Sequence, residues 1–163
     1  MFSEPFKSRA AALIDSCRAA GLTIATAESC TGGLLAALIT AIPGSSDVFE
    51  RGFVTYSNAA KIESLSVAPP ILEQFGAVSA EAARAMAEGA LTHSLASMAL
   101  SITGIAGPGG GSPEKPVGLV HFGLARRLGA IIAVEKRFGE LGRDEVRSAA
   151  TATAIDLLLE AAH

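Results

Sequence analysis

The chain has 163 residues, half of them hydrophobic and only 18% charged, and its formal net charge at pH 7 is −3. This length is typical of one domain with a full hydrophobic core, so we expect residues 1–163 to form a single domain. Lysine and arginine never cluster into a basic stripe, and an acidic chain gives no electrostatic reason to bind nucleic acid.

The cysteines and histidines argue against a disulfide framework or a metal centre. Two cysteines, Cys17 and Cys30, are too few for a set of structural disulfides or a four-ligand zinc site. The three histidines, His93, His121 and His163, lie far apart and lack metal-ligand spacing. These residues give no indication of a metal site, and we expect no cofactor.

No segment of the sequence has the pattern of an export signal or a membrane span. The first residues lack the basic start and the unbroken apolar core of a signal peptide. The longest apolar runs fall far short of the ~20 residues that a bilayer requires. We expect a soluble, cytoplasmic protein without a membrane partner.

Hydrophobic periodicity and turn residues predict the secondary structure along the chain. In chain order the expected elements are a helix over residues 4–20, a strand over 22–26, a helix over 31–42, a strand over 49–56, a helix over 58–65, a helical turn over 69–76, a helix after Ser79, strands over 95–103, 117–125 and 130–138, and a closing helix that contains residues 146–158. Gly21 and Pro43 end the first two helices, and Asn58 and Ser79 are the expected N-caps of later ones.

Helices that alternate with strands indicate an α/β protein. The last two strands are separated only by residues 126–129 and are expected to form a hairpin, which adds antiparallel pairing to the sheet. We predict a three-layer α/β/α sandwich around a mixed, mostly parallel sheet of about five strands.

The most informative segment is the turn at residues 26–33, Thr-Ala-Glu-Ser-Cys-Thr-Gly-Gly, which joins a predicted strand to a predicted helix. Such turns are where α/β proteins bind ligands. Free N–H groups and the positive end of the helix dipole favour an anion there, or a nucleophile whose attack creates one. The turn carries two candidate nucleophiles, Ser29 and Cys30.

Lys61 is the candidate base for Ser29. Tyr56 ends a predicted strand, and Lys61 lies in the first turn of the next helix, where the helix dipole disfavours its charged form. A lysine with a lowered pKa can take a proton from serine, and Tyr56 can relay it. Spacing alone is weak support for this pair, because serine and lysine are common residues.

Cys30 is the rival nucleophile, with a histidine as its base. A thiol at a helix N-terminus has a lowered pKa, which favours this alternative. Against it, His93 is the histidine nearest in sequence and falls at a predicted helix end rather than at a strand end. From the residues alone, both nucleophiles stay open.

Two further segments are candidates for binding an anion. The glycine-rich loop at residues 103–112 runs into Pro113 and Pro116, so it is not a Walker or Rossmann loop. Its glycines suit close approach to a ligand, and a flexible surface loop is an equal interpretation. Arg143 and Arg147 begin the last helix and suit phosphate recognition, but the residues alone favour a solvated helix start.

Six motifs occur in order along nearly the whole chain: residues 26–33 (TAESCTGG), 44–46 (GSS), 49–58 (FERGFVTYSN) with Lys61, 76–79 (GAVS), 103–110 (TGIAGPGG) and 115–118 (KPVG). Together they closely resemble the CinA carboxy-terminal domain family. The resemblance implies an α/β/α fold, no metal and a homodimer or a higher homo-oligomer.

The resemblance also implies a nicotinamide-nucleotide amidohydrolase. Active members hydrolyse the carboxamide of nicotinamide mononucleotide to nicotinate mononucleotide and ammonia, in pyridine nucleotide salvage. Carried over by motif, Ser29 is the expected nucleophile, with Tyr56 and Lys61 as its activating partners. The expected substrate-binding residues are Glu28, Cys30, Thr31, Gly32, Thr103, Gly104 and Arg143.

Two alternatives stay open at this point. A non-catalytic nucleotide-binding or regulatory module would keep the same pocket and release no ammonia. Glu28 can either tune the pKa of Lys61 or order the turn that carries Ser29.

Overall fold

The computed structural model describes residues 1–163 and contains six α-helices and five strands. The helices are α1 (Glu4–Ala20), α2 (Leu34–Thr40), α3 (Asn58–Leu65), α4 (Pro69–Phe75), α5 (Ala80–Thr92) and α6 (Arg143–Ala161). The strands are β1 (Ile24–Glu28), β2 (Phe49–Val54), β3 (Met98–Gly104), β4 (Leu119–Arg126) and β5 (Ile131–Arg137). None of the helices combines the length and the apolar character needed to cross a membrane.

All five strands form one sheet in the order β2-β1-β3-β4-β5. β1 pairs in parallel with β2 and with β3, whereas β4 pairs antiparallel with both β3 and β5. Every residue of β1 is buried, as expected of a parallel strand covered on both faces. The predicted α/β fold with a mixed sheet and a late hairpin is confirmed.

Two clusters of buried side chains lie on opposite faces of the sheet and give the fold its three layers. Helices α1, α2 and α6 pack on one face, against large strand residues such as Ile24, Leu100 and Phe122. Helices α3, α4 and α5 pack on the other face, where the strands carry small residues such as Ala25 and Ala99. Because β1 supplies both clusters in alternation, its sequence fixes which side chain faces which layer.

Several element boundaries and one cap differ from the sequence-based expectations. β1 covers Ile24–Glu28 instead of residues 22–26, and β2 ends at Val54, so Tyr56 follows the strand instead of ending it. Helix α2 begins at Leu34 instead of residue 31, because Gly32 and Gly33 adopt φ of 59° and 101° in the left-handed region. Helix α3 begins at Asn58 as predicted, but its N-cap is Ser57, whose hydroxyl accepts the Ala60 N–H at 3.0 Å.

The parallel strands bring three segments together at one edge of the sheet. β1, β2 and β3 run in the same direction, so their carboxyl ends meet there. The residues that follow these strands are the turn after Glu28, the segment after Val54 and the glycine-rich loop after Gly104. Helix α3 follows the second of these segments and carries Lys61.

Candidate active site

Ser29 and Lys61 are in direct contact at the carboxyl edge of the sheet. Lys61 Nζ lies 2.9 Å from Ser29 Oγ and donates a second hydrogen bond of 2.8 Å to the Thr55 carbonyl. Ser29 is 9% exposed and Lys61 only 1%. The Ser29 N–H donates to the Ile102 carbonyl at 2.9 Å, which ties the nucleophile candidate to the end of β3.

The environment of Lys61 favours a neutral amine. Burial lowers the pKa of Lys61 below its usual 10.5, and no carboxylate forms an ion pair with it. A neutral amine can donate to the Thr55 carbonyl and still accept the Ser29 proton on its lone pair. Burial, which the sequence analysis did not invoke, is thus the largest cause of the lowered pKa of Lys61. The pair has the geometry of a nucleophile and its base.

The turn after Ser29 presents free backbone donors. Neither the Cys30 N–H nor the Thr31 N–H donates to any protein acceptor, whereas the Gly32 N–H returns to the Ser29 carbonyl at 3.0 Å. Past β3, the N–H groups of Ala106 and Gly107 are likewise without a protein acceptor. Cys30, Ala106 and Gly107 line the same cavity as Ser29, so their free N–H groups are candidate donors to a developing oxyanion.

A cavity of about 300 Å³ opens beside the Ser29–Lys61 pair. Most of the predicted site residues line it: Ser29, Cys30, Tyr56, Lys61, Thr103, Gly104 and Arg143. The glycine-rich loop forms one wall, so it is part of the pocket and not a detached surface loop. This volume falls at the lower end of the range for small-molecule sites.

Three residues expected to bind substrate lie outside this cavity. Glu28 is fully buried, and its carboxylate accepts the Leu35 and Ala36 N–H groups at 2.9 and 3.1 Å. It therefore caps the start of α2 and orders the turn, the second of its two open roles. Thr31 is fully buried with a hydroxyl that has no partner, and Gly32 is absent from the cavity wall.

Arg143 and Tyr56 contact each other at the mouth of the cavity. Arg143 Nη2 donates to the Tyr56 hydroxyl at 2.9 Å, and Nη1 donates to the Gly107 carbonyl at 2.8 Å. Tyr56 is 61% exposed and makes no hydrogen bond to Ser29 or Lys61. The structure thus places Arg143 as the cation of the cavity, and it does not join Tyr56 to the Ser29–Lys61 pair.

The Thr103 hydroxyl does not donate a hydrogen bond to Ser29. Its Oγ1 donates to the Ala77 carbonyl at 2.7 Å, which links β3 to the segment before α5. Thr103 lines the cavity, but this bond uses the proton that would stabilise an oxyanion. Donors for an oxyanion are better supplied by the free backbone N–H groups.

The environment of Cys30 disfavours it as the nucleophile. Burial raises the pKa of the Cys30 thiol to about 11, although the positive charge of Arg147 acts in the opposite direction. No histidine lines the cavity: His93 contacts Ser66, and His121 lies on β4 near Glu135. A protonated thiol without a base is a poor nucleophile. No cluster of three or more histidine, cysteine or acidic side chains could hold a metal ion.

Arg147, for which the sequence alone favoured a solvated helix start, contacts the turn that carries Ser29. Its Nε donates to the Cys30 carbonyl at 3.1 Å, and its Nη2 donates to the Thr31 carbonyl at 3.3 Å. It therefore holds the turn that carries Ser29 through two backbone carbonyls, and it does not line the cavity. Its position four residues after Arg143 puts both arginines on one face of α6, but this spacing alone did not indicate a contact with the turn.

Comparisons with known proteins agree with this fold and with the motif pattern. The model of the CinA C-terminal domain matches residues 6–162. A CinA-like protein from Citrifermentans bemidjiense is 54% identical over 142 residues, which cover 86% of this chain and 34% of that protein. The chain thus spans about a third of the length of the curated relatives it matches.

Two solved structures show the same architecture. The competence/damage inducible protein CihA from Agrobacterium tumefaciens superposes with a TM-score of 0.96 at 49% identity, covering 98% of this chain and 97% of that one. A competence-damaged protein (CinA) superfamily protein from Escherichia coli gives 0.91 at 32% identity, covering 99% of this chain and 94% of that one.

Proposed function

The chain belongs to the family of CinA C-terminal domains. We propose that it is a serine amidohydrolase that acts on the carboxamide of nicotinamide mononucleotide. The observation that carries the proposal is the 2.9 Å contact between Ser29 Oγ and Lys61 Nζ in a buried pocket without a carboxylate partner. The choice of nucleotide comes from the family resemblance and agrees with the single cation, Arg143, among the exposed residues of the cavity. The products are nicotinate mononucleotide and ammonia, in pyridine nucleotide salvage in the cytoplasm.

The proposed reaction begins with attack of Ser29 Oγ on the carboxamide carbon. Lys61 takes the hydroxyl proton, and the carbonyl oxygen becomes an oxyanion that accepts from the free N–H group of Cys30, which lines the cavity. Collapse of this intermediate breaks the C–N bond, and Lys61 returns the proton to the leaving nitrogen, which departs as ammonia. Water then hydrolyses the Ser29 ester with Lys61 again as the base.

Arg143 is the proposed contact for the phosphate of the nucleotide. Its guanidinium now bonds the Tyr56 hydroxyl and the Gly107 carbonyl at the cavity mouth, and a phosphate can replace these neutral partners with charge-assisted bonds. Tyr56 then acts at the mouth of the cavity and not in proton transfer. The homodimer implied by the resemblance is part of the same proposal.

An ammonia-release assay on nicotinamide mononucleotide tests the proposal. We expect Ser29→Ala to abolish ammonia release while calorimetry still detects nucleotide binding, because the pocket is otherwise intact. Cys30→Ala should retain most of the activity, since its thiol is protonated at neutral pH.

Three outcomes would contradict the proposal. Deamidation that persists in Ser29→Ala removes the nucleophile assignment. An inactive Cys30→Ala beside an active Ser29→Ala transfers the role to the thiol. Wild-type protein that binds the nucleotide and releases no ammonia is a non-catalytic nucleotide-binding module.

A further inference from the structure

We propose that Arg147 is a positioning residue for catalysis, which orients and polarises the backbone N–H groups beside Ser29. This inference rests on the proposed amidohydrolase function. Arg147 lies on α6 and contacts the turn, but it does not line the Ser29 cavity. It would therefore act through the turn and not by contact with the substrate.

The first step concerns the Thr31 N–H. Arg147 Nε donates to the Cys30 carbonyl at 3.1 Å. That carbonyl and the Thr31 N–H belong to the same peptide group, so a cation bound to its oxygen makes the N–H a stronger donor. The Thr31 N–H has no protein acceptor, but Thr31 is fully buried and lies outside the cavity, so the Cys30 N–H is the better placed of the two donors to meet an oxyanion.

The second step concerns the Cys30 N–H and passes through one more peptide group. Arg147 Nη2 donates to the Thr31 carbonyl, whose peptide carries the Gly32 N–H. That N–H donates to the Ser29 carbonyl at 3.0 Å, and the Ser29 peptide carries the free Cys30 N–H. Consecutive hydrogen bonds of this kind strengthen one another by roughly 10–30% per bond. Both free donors thus end a chain that starts at one guanidinium.

The geometry of the turn explains why an arginine is needed. The carbonyls of Cys30 and Thr31 each accept from a different nitrogen of the guanidinium. Only an arginine presents two donors in a rigid planar fork, whereas a lysine ammonium offers one compact charge. The side chain of Arg147 is 28% exposed, and its nearest carboxylate, Asp144, is 3.8 Å away and 90% exposed. Its charge is therefore only weakly compensated.

The test compares Arg147→Met with Arg147→Lys and with a matched control. Arg9→Met is the control, since Arg9 also contacts α6, through Asp156 at 3.3 Å, and does not touch the turn. For Arg147→Met we expect kcat for ammonia release to fall by roughly 10–100-fold, below the 10²–10³-fold loss that follows removal of a whole oxyanion donor. KM should change little, because Arg147 does not meet the substrate. Arg147→Lys should be intermediate, and Arg9→Met should match the wild type.

A second readout does not depend on the identity of the substrate. A fluorophosphonate forms an Oγ–P bond with Ser29 as the P–F bond breaks, fluoride leaves and Lys61 takes the serine proton. The labelling rate, followed by intact mass, should fall in the same order as kcat. If wild-type protein labels but releases no ammonia, the amidohydrolase function fails and the labelling rates alone decide the role of Arg147. If it does neither, both proposals fail.

Four results would overturn the role of Arg147. One is a folded Arg147→Met with wild-type kcat and labelling. Another is a raised KM with unchanged kcat, which would make Arg147 a substrate contact. A third is an equal loss in Arg9→Met, which would indicate a general effect on α6. If Arg147→Met does not fold, Arg147→Lys decides, and unchanged kcat and labelling in that variant reject the role.

Discussion

Replacing Lys61 by methionine tests the buried amine through stability as well as through catalysis. Lys61 is 1% exposed, and burial lowers its pKa below the usual 10.5. The unfolded chain therefore binds a proton on this group at pH values where the folded protein does not. In that interval, from the folded-state pKa up to 10.5, the free energy of unfolding of the wild type rises with pH.

The size of the effect follows from the same shift. Each pH unit of the interval contributes about 1.4 kcal/mol, which for a protein of this size corresponds to a change in Tm of roughly 3–6 °C. Below the interval the wild type carries the full penalty for burying a group that prefers to be charged. Methionine does not titrate, so Lys61→Met lacks this pH-dependent contribution altogether.

Removing the buried amine raises the free energy of unfolding, but a second contribution lowers it. Lys61→Met leaves the Thr55 carbonyl without the hydrogen bond of 2.8 Å, and a buried acceptor without its partner costs about 1–3 kcal/mol. This penalty does not depend on pH. The stability difference at one pH therefore mixes two effects, whereas the change of that difference with pH isolates the titration of Lys61.

Urea unfolding of both proteins from about pH 6 to about pH 10 measures this change. We expect the wild type to gain stability relative to Lys61→Met as the pH rises. Lys136→Met, which removes an exposed lysine of β5, should run parallel to the wild type. Ammonia release should fall by about 10²–10⁴-fold in Lys61→Met only. A constant difference between wild type and Lys61→Met across the range would refute the buried neutral amine.

Two further substitutions separate binding from scaffolding. Arg143→Gln should raise KM for nicotinamide mononucleotide about 10-fold or more, because a charged hydrogen bond contributes about 1.5–3 kcal/mol. KM for the phosphate-free nucleoside should stay unchanged. An equal rise of KM for both substrates would exclude a phosphate contact. Glu28→Ala should lower the free energy of unfolding by about 1–3 kcal/mol, since the Leu35 and Ala36 N–H groups lose their acceptor, and Glu28→Gln should lower it less. Thermal unfolding checks this, and unchanged stability with a raised KM would make Glu28 a ligand contact.

The sequence predicted the elements that bring Ser29 and Lys61 together. The alternation of helices and strands indicated a parallel sheet, and parallel strands meet at their carboxyl ends. Ser29 follows β1, and Lys61 lies on α3, which follows β2, the parallel neighbour of β1. Their contact needs only this topology and a long side chain. Local patterns were therefore sufficient to propose this part of the site.

The remaining contacts depend on packing that no local pattern contains. Arg147 reaches the Cys30 carbonyl across 117 residues of sequence, and only the docking of α6 beside α2 makes this contact. From the sequence, Glu28 was expected to bind substrate because it adjoins Ser29. Side chains along β1 alternate between the two faces of the sheet, however, and this alternation turns Glu28 toward α2. Burial of Lys61, which lowers its pKa, likewise depends on the surrounding layers and not on its place in α3.

The candidate site gathers features that each lower the stability of the fold. A lysine is buried without a carboxylate, the Cys30 and Thr31 N–H groups have no protein acceptor, and Gly32 and Gly33 hold a left-handed turn. Elsewhere in the chain, the backbone groups of the central strands are paired and the core is apolar. Such costs persist where the surrounding structure over-determines them, and here the carboxylate of Glu28 and the guanidinium of Arg147 hold the turn from two sides. A turn held in this way keeps its donors aligned before a substrate arrives, which is the condition for electrostatic stabilisation of an oxyanion.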